Sequence, residues 1–414
     1  MNKQKEKVPD LRFKGFTDDW EQRKFSEILA KSDGLRRGPF GSALKKEFFI
    51  SSSEYTVYEQ NNAIYNTWKT RYFITPEKFQ ELHKFQLMPG DFILSGAGTI
   101  GRIAQVPANI TKGVFNQALI RIRINPEWMD KKFFLIWMQS ENMQRKLTQA
   151  NPGSAMTNLV PMSEIKKWEI IIPSKAEQNK IGEFIQKLNS FITLHQRKLD
   201  LLNQLKKGLL QKMFADKGSK RPILRFEGFT GNWEIRQLKE LGEIITGNTP
   251  KTSQVENYSS NGIPWVTPTD INSIYTTDSA KRLSTVGKDK AKIAPANSLL
   301  VTCIASIGKN TLVLQESAFN QQINALIPVK NDPFFLLAES AKWSRIMRNL
   351  AGQTSMQIIN KKTFSGISTS IPDLKEQKII GSLFKKLDNT IAFQQQRISR
   401  VNEIKKSLLQ QMFI

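Results

Sequence analysis

The chain has 414 residues, enough for two domains with connecting structure, and 39% of them are hydrophobic, with 25 Phe and 8 Trp, which excludes a disordered chain. Sixty-one Lys and Arg against 37 Asp and Glu leave a net charge of +24, a surplus that attracts polyanions and points to a phosphate-backbone partner over a small neutral substrate. One cysteine (Cys303) excludes a disulfide framework or Cys-based zinc site, and two isolated histidines (His83 and His195) argue against a His-rich metal site.

Met1 to Val8 is lysine-rich and no apolar region follows it, so no signal peptide is expected; no apolar stretch reaches the roughly 18 residues of a membrane span. A soluble cytoplasmic protein without a membrane partner is the expectation. Pro9 then opens PDLRFKGFTDDWEQR, and the same frame returns at Pro222 as PILRFEGFTGNWEIR. Between the two lie Leu87 to Leu94, a turn leading into a buried strand, and further short strands at Ala118 to Ile124 and Trp168 to Ile172. Asp130 to Thr148 reads as a helix, and in the second half Leu299 to Ile304 reads as a strand and Pro333 to Leu350 as a helix. Each half is therefore mixed α and β.

A second repeated block closes each half: IPSKAEQNKIG from Ile172 matches IPDLKEQKIIG from Ile371, and the match runs on to Phe214 and Phe413. The first blocks are 213 positions apart and the second 199, so similar frames enclose unequal and divergent middles. The middles keep a skeleton: Leu87–Leu94 pairs with Ile293–Leu300, Ile100-Gly101-Arg102 with Ile307-Gly308-Lys309, and Phe115-Asn116-Gln117 with Phe319-Asn320-Gln321. Repeated ends suit a scaffold, and divergent middles suit two different specificities.

From Ser174 to Phe214 apolar residues recur at Ile181, Ile185, Leu188, Ile192, Leu199, Leu202, Leu205 and Leu209, mostly with coiled-coil spacing. The second copy repeats this at Ile380, Phe384, Leu387, Ile391, Ile398, Val401, Ile404 and Leu408, and His195 and Gln394 are polar at the same seam position. A polar, register-setting role for His195 is preferred to a ligand or catalytic one. A helix of roughly 40 residues is about 60 Å long. The short linker Ala215 to Arg221 leads at once into the second module, so for the seams to pack the second helix must run back. The expected arrangement is an antiparallel pair with a module at each end and a pseudo-two-fold axis. Two such heads suit two short DNA half-sites, one turn of B-DNA being about 34 Å.

The residues of known catalytic motifs are missing or misplaced. No Asn/Asp-Pro-Pro-aromatic loop of an amino-methyltransferase is present. Gly96 to Gly101 matches G-x-G-x-x-G, but a strand pattern follows it instead of a helix, which favours a tight turn over a dinucleotide site. Arg102-Ile103 stands where a phosphate-binding loop needs Lys-Ser/Thr. Pro372-Asp373 with Glu376 and Lys378 imitates a nuclease PD…ExK set within one helical turn, where Asp373 suits the helix N-terminus. Cys303 lies in an apolar strand and is expected to be buried; Trp20 and Trp233 read as core anchors.

Cations cluster in the middles: Arg36, Arg37, Lys45, Lys46, Lys69, Arg71 and Arg102 in the first, and Lys251, Lys281, Arg282, Lys288 and Lys309 in the second. Most would contact phosphate, which positions a protein without specifying sequence. Each competes with the plain alternative of a solvated surface cation.

Together the twin PxLRFxGFTxxWE starts and the twin IP…EQ…IG helices ending in LLQ[KQ]MF resemble the specificity subunit of type I restriction–modification enzymes, over essentially the whole chain. Gly262–Ile271 (GIPWVTPTDI), preceded by Gly247–Pro250, is similar to the opening of a target recognition domain; the first half departs from it, with Gly38-Pro39-Phe40-Gly41 near the equivalent point. The resemblance implies an α+β fold with recognition domains at 1–171 and 216–370, joined by conserved spacer helices at 172–215 and 371–414. It implies that each domain reads half of a bipartite double-stranded DNA target. Two methylation subunits would bind the helices and methylate adenine N6 with S-adenosylmethionine after base flipping. Restriction subunits would add ATP- and Mg-dependent translocation and cleavage. No cofactor and no catalysis would belong to this chain. A self-contained DNA enzyme and a coiled-coil adaptor for RNA or ribosomes remain the competing readings.

Overall fold

The computed structural model describes residues 8–148, 161–216, 219–352 and 358–413. Met1 to Lys7 and the linker residues Lys217 and Gly218, which entered the sequence reading, lie outside the described residues. The chain folds as two compact units, Met1–Leu194 with Ile398–Ile414, and His195–Arg397. Among the described residues no helix is long and apolar enough to cross a membrane.

The first unit runs β1 (Glu21–Lys24), β2 (Leu35–Arg37), β3 (Tyr55–Tyr58), α1 (Gln60–Tyr65), β4 (Phe73–Ile74), α2 (Pro76–Glu81), β5 (Phe92–Ser95), β6 (Ile103–Gln105), β7 (Gly113–Phe115) and β8 (Leu119–Ile122). It continues with α3 (Lys131–Met138), α4 (Glu141–Thr148), α5 (Met162–Lys167), β9 (Glu169–Ile172) and the start of α6 (Lys175–Lys212). Strands β2-β8-β5-β6 form one sheet, β4-β3-β7 a second, and β1 pairs with β9. Phe25, Phe92, Phe134 and Trp137 fill the core beside Trp20, which is buried as expected. The single helix expected at Asp130–Thr148 is two helices. Asp130 caps the first by accepting from Phe133 N at 2.9 Å, and Ser140 Oγ accepts from Met143 N to start the second.

The second unit runs β10 (Glu234–Gln237), β11 (Gly242–Thr246), β12 (Tyr258–Val266), β13 (Tyr275–Thr276), β14 (Arg282–Leu283), α7 (Thr285–Asp289), β15 (Ile293–Ala294), β16 (Leu299–Thr302), β17 (Asn310–Val313), β18 (Ser317–Phe319) and β19 (Ile323–Pro328). It closes with α8 (Pro333–Ala351), α9 (Lys361–Ser365), β20 (Ser368–Ile371) and α10 (Leu374–Met412). Strands β11-β19-β16-β17-β13 and β14-β12-β18-β15 form its sheets, and β10 pairs with β20 as β1 does with β9. Here α8 is continuous over the expected helix, capped by Asp332 on Phe335 N at 2.8 Å.

The hairpins β5–β6 and β16–β17 match bond for bond. Gly90 N donates to Val106 O at 2.9 Å as Asn297 N does to Val313 O at 2.7 Å, and Gly101 N donates to Ser95 O at 3.0 Å as Gly308 N does to Thr302 O at 2.9 Å. The pairing of Leu87–Leu94 with Ile293–Leu300 is therefore one residue out of register. The left-handed turn residue is Gly90 (φ 90°) in one copy and Asn297 (φ 67°) in the other, two residue types that share this conformation. Gly98 and Gly101 also have positive φ, so Gly96–Gly101 is a tight hairpin turn, as expected.

The repeated motifs meet at the first turn of each long helix. Arg12 grips Glu177 with Nε and Nη2 at 2.9 and 2.7 Å, and its Nη1 donates to Asp18 O. Arg225 grips Glu376 identically at 2.7 and 2.7 Å, its Nη1 donating to Gly231 O. The next residues act as latches: Gln178 donates to Trp128 O and Pro173 O and accepts from Asp130 N, while Gln377 donates to Asn331 Oδ1 and Pro372 O and accepts from Asp332 N. Asp373 accepts from Glu376 N at 2.8 Å, the helix-capping role expected of it.

Within each unit the α6 and α10 segments run in opposite directions. In the first, Leu188 of α6 shares the core with Leu408 and Leu409, and Leu11 N donates to Gln411 O at 3.0 Å. In the second, His195 Nδ1 lies 2.8 Å from Gln394 Oε1, Lys206 pairs with Asp388 at 2.5 Å, and the Phe214 and Phe384 rings are 5.4 Å apart. Leu199, Leu387, Ile391 and Gln394 are buried, and Leu188, Ile192, His195, Leu202, Ile398 and Val401 half-buried. Leu205 and Ile404, expected in the seam, are 52% and 47% exposed, because two helices alone cover only a narrow stripe. Ile181, Ile185, Ile380 and Phe384 are buried in the module cores.

Arg12→Ala and Arg225→Ala each strand a fully buried carboxylate, whose side chain is 1% and 0% exposed respectively. Each is expected to destabilise its own unit by about 3–5 kcal/mol, and Arg→Lys, which cannot form the two-pronged contact, by less. Chemical denaturation of the purified variants checks this.

Candidate nucleic-acid interface

Strand order brings several loops of each unit to one sheet end. In the first, Arg37 at the end of β2 faces Ile120 near the start of β8, and Ser95 at the end of β5 faces Leu119. β5 and β6 form a hairpin, so the segments 38–43, 96–102 and 116–118 all leave from this end. Tyr58 of β3 pairs in parallel with Phe115, which adds the start of α1. Gln60 Nε2 donates to Thr99 O at 3.2 Å and to Ala97 O, tying α1 to the hairpin turn.

This end gathers four of the seven cations singled out in the first module. Arg37 is exposed and donates through Nε to Gln117 O at 3.2 Å; Arg102 is exposed in the hairpin turn. Arg71 is held by Glu59 at 2.9 Å and lies 4.7 Å over the Tyr72 ring. Lys69 is exposed, its carbonyl bound by Asn62. Arg36 differs. It pairs with Asp33 in an inward network with Arg121, Arg123 and Asp91, and burial lowers the Arg121 pKa. Alternate strand residues face opposite sides of the sheet, and Arg36 lies on the side of Arg121, opposite which it is registered. Lys45 and Lys46 are exposed beyond the Gly38 loop, Lys45 3.4 Å from Glu47.

The second unit has the same construction. Thr246 of β11 faces Asn324, Thr302 of β16 faces Ile323, and Trp265 of β12 pairs with Ala318, so the segments 247–250, 267–270, 303–309 and 320–322 leave from one end. Lys309 is exposed there, and Lys251, also exposed, follows the segment 247–250. Lys281 is exposed on the segment before β14. Arg282 pairs with Asp278 and donates to Gly262 O at 2.7 Å, and Lys288 pairs with Glu316, so both charges are matched within the unit.

Gly38–Gly41, which departs in sequence from Gly247–Pro250, occupies the same place. Gly38 N donates to Leu119 O at 3.0 Å and Gly247 N to Ile323 O at 3.1 Å. A Cβ would lie 1.9 Å from Asn116 O at Gly38 and 2.3 Å from Asn320 O at Gly247, so only glycine fits. Gln60, Gln117, Thr249 and Gln321 also stand at these ends and were not singled out by charge. The repeated Phe-Asn-Gln was the available signal for two of them.

The possible nucleophiles and acids lie elsewhere. Cys303 is buried, and burial pushes its thiol up to about 11. Burial also pushes Glu339, which accepts from Thr369 Oγ1 at 2.7 Å, up to about 7. Glu376 is bound in its arginine fork, and Trp20 and Trp233 are core residues. Among the described residues no group of three or more His, Cys, Asp or Glu could hold a metal ion.

A family model, the type I restriction modification DNA specificity domain, matches the chain twice, at residues 17–204 and 230–403. The chain belongs to this family. It is 30% identical over 184 residues to the type I restriction enzyme HindI specificity subunit of Haemophilus influenzae, an alignment covering 42% of this chain and 39% of that protein. It is 20% identical to the putative type I restriction enzyme MjaX specificity subunit of Methanocaldococcus jannaschii over 95% of this chain and 92% of that one. The fold matches the crystal structure of a type I restriction–modification S subunit from M. genitalium with a TM-score of 0.66 at 15% identity, over 98% of this chain and 99% of that one. The matched domain occurs twice in this chain, and its two copies coincide with the two halves of the repeat.

For DNA binding by the assembled complex, Arg102→Ala and Lys309→Ala should each reduce the slope of log affinity against log salt by about 0.9. Neither should change the preferred sequence. Anisotropy titrations across a salt series measure both.

Proposed function

We infer that this chain is the DNA-specificity subunit of a type I restriction–modification complex. It is a non-catalytic subunit, and each recognition domain reads one half of a bipartite target. The observation that carries this reading is the duplication of a family domain whose frames repeat and whose loop-bearing ends diverge. The net charge of +24 supports a DNA partner. In this reading residues 1–171 and 216–370 are the reading domains, while the helices at 172–215 and 371–414 set the half-site spacing and dock two methylation subunits. Restriction subunits complete the complex. S-adenosylmethionine, ATP and Mg act on the partners, and the complex works in the cytoplasm.

The docking role is supported by matched clefts of about 770 and 760 Å³, one in each unit. Asn203, Lys206, Lys207, Leu210, Gln211 and Phe214 line the first. The residues 199 positions later, Asn402, Lys405, Lys406, Leu409, Gln410 and Phe413, line the second. Each pair also has the same burial, from exposed asparagine to buried phenylalanine.

Methylation mapping of cells with and without this gene tests the reading. A bipartite adenine-methylated motif that disappears with the gene is expected. Methylation or cleavage of DNA by the purified chain alone would contradict it.

A further inference from the structure

Phe115-Asn116-Gln117 and Phe319-Asn320-Gln321 recur within middles that otherwise diverge. The fold accounts for two residues of each tripeptide. Phe115 and Phe319 are fully buried. Asn116 N donates to Tyr58 O at 3.0 Å, and Asn320 N to Val266 O at 3.0 Å. Their side-chain oxygens accept from Ala118 N and Gln322 N, both at 3.1 Å, which closes the turn. Gly38 and Gly247 then press against the two asparagine carbonyls, where no side chain fits.

The third residue has no such role. Gln117 and Gln321 are both exposed, each at the tip of a turn made rigid by its neighbours. A solvated turn position accepts many polar residues, so packing does not call for the same long amide twice. The surroundings differ: Arg37 holds the Gln117 carbonyl at 3.2 Å, whereas Thr249 donates to the Gln321 side-chain oxygen. A glutamine amide carries one acceptor and one donor side by side, the complement of adenine N6–H and N7 in the major groove.

We propose that Gln117 and Gln321 are equivalent base-reading residues, each making a two-point contact with the adenine of one A·T pair in its own half-site. This rests on the reading of the chain as a DNA-specificity subunit. Neighbours such as Arg37 and Thr249 then make the rest of each half-site different around a shared element.

The test is methylation mapping in cells expressing the complete complex with Gln117→Ala, Gln321→Ala or Gln117→Glu. Each alanine variant is expected to relax discrimination on the order of tenfold at one A·T position, in opposite halves of the motif. Gln117→Glu, an acceptor only, should move the same position towards C·G, since a carboxylate accepts from cytosine N4. A wild-type bipartite motif left unchanged by all three variants overturns the proposal and leaves the functional reading intact. So does uniform loss of methylation at every site without relaxation, the mark of a positioning residue. Absence of any bipartite motif in the wild type would overturn the functional reading as well.

Discussion

Each long helix begins at a guanidinium–carboxylate fork buried where the amino-terminal strap, the two-stranded ribbon and the module core come together. Desolvating both charges offsets most of their attraction, so such a pair adds little net stability over an apolar substitute. What it provides is geometry. Two parallel hydrogen bonds fix the strap against the first helical turn, and the following glutamine ties that turn to the segment leading into α3 or α8. Arg12–Glu177–Gln178 and Arg225–Glu376–Gln377 repeat this joint, differing in one glutamine partner, the Trp128 backbone carbonyl in the first and the Asn331 side-chain oxygen in the second.

With the joint constant, the interior of each module can vary. β1–β9 and β10–β20 close the two modules in the same way, yet between them one unit has sheets of four and three strands and the other of five and four. The loops at these sheet ends change in length and chemistry without disturbing the helix starts. Gly38–Gly41 and Gly247–Pro250 are one example: a shared backbone approach carries Pro-Phe in one copy and Asn-Thr in the other.

The duplication, the long helices and the core tryptophans were legible because each is a local pattern repeated in the chain. The hairpin at Gly96–Gly101 was legible from the strand that follows it. Other features depend on tertiary partners. Arg36 looked like its neighbour Arg37 until the strand turned it towards Asp33. The helix over Asp130–Thr148 broke because Ser140 caps a new start. The register of Gly90 and Asn297 was hidden because alignment on proline ignores which residue takes the left-handed turn. Leu205 and Ile404 fit the heptad but lie beyond the width of a two-helix stripe. The glutamines carry no charge; the repeated Phe-Asn-Gln marks them in the sequence, but only the folded turn shows that the Phe and Asn are spent on packing and the Gln is not.

The central claim is that the frames hold and space the reading heads while the enclosed middles read. Replacing residues 25–168 with a second copy of 238–367, at the β1–β9 and β10–β20 ribbons, tests it most directly. Methylation mapping of the resulting complex should give an inverted repeat of the half-site read by the second module. An unchanged asymmetric motif would contradict the account, as would a motif whose second half also changed.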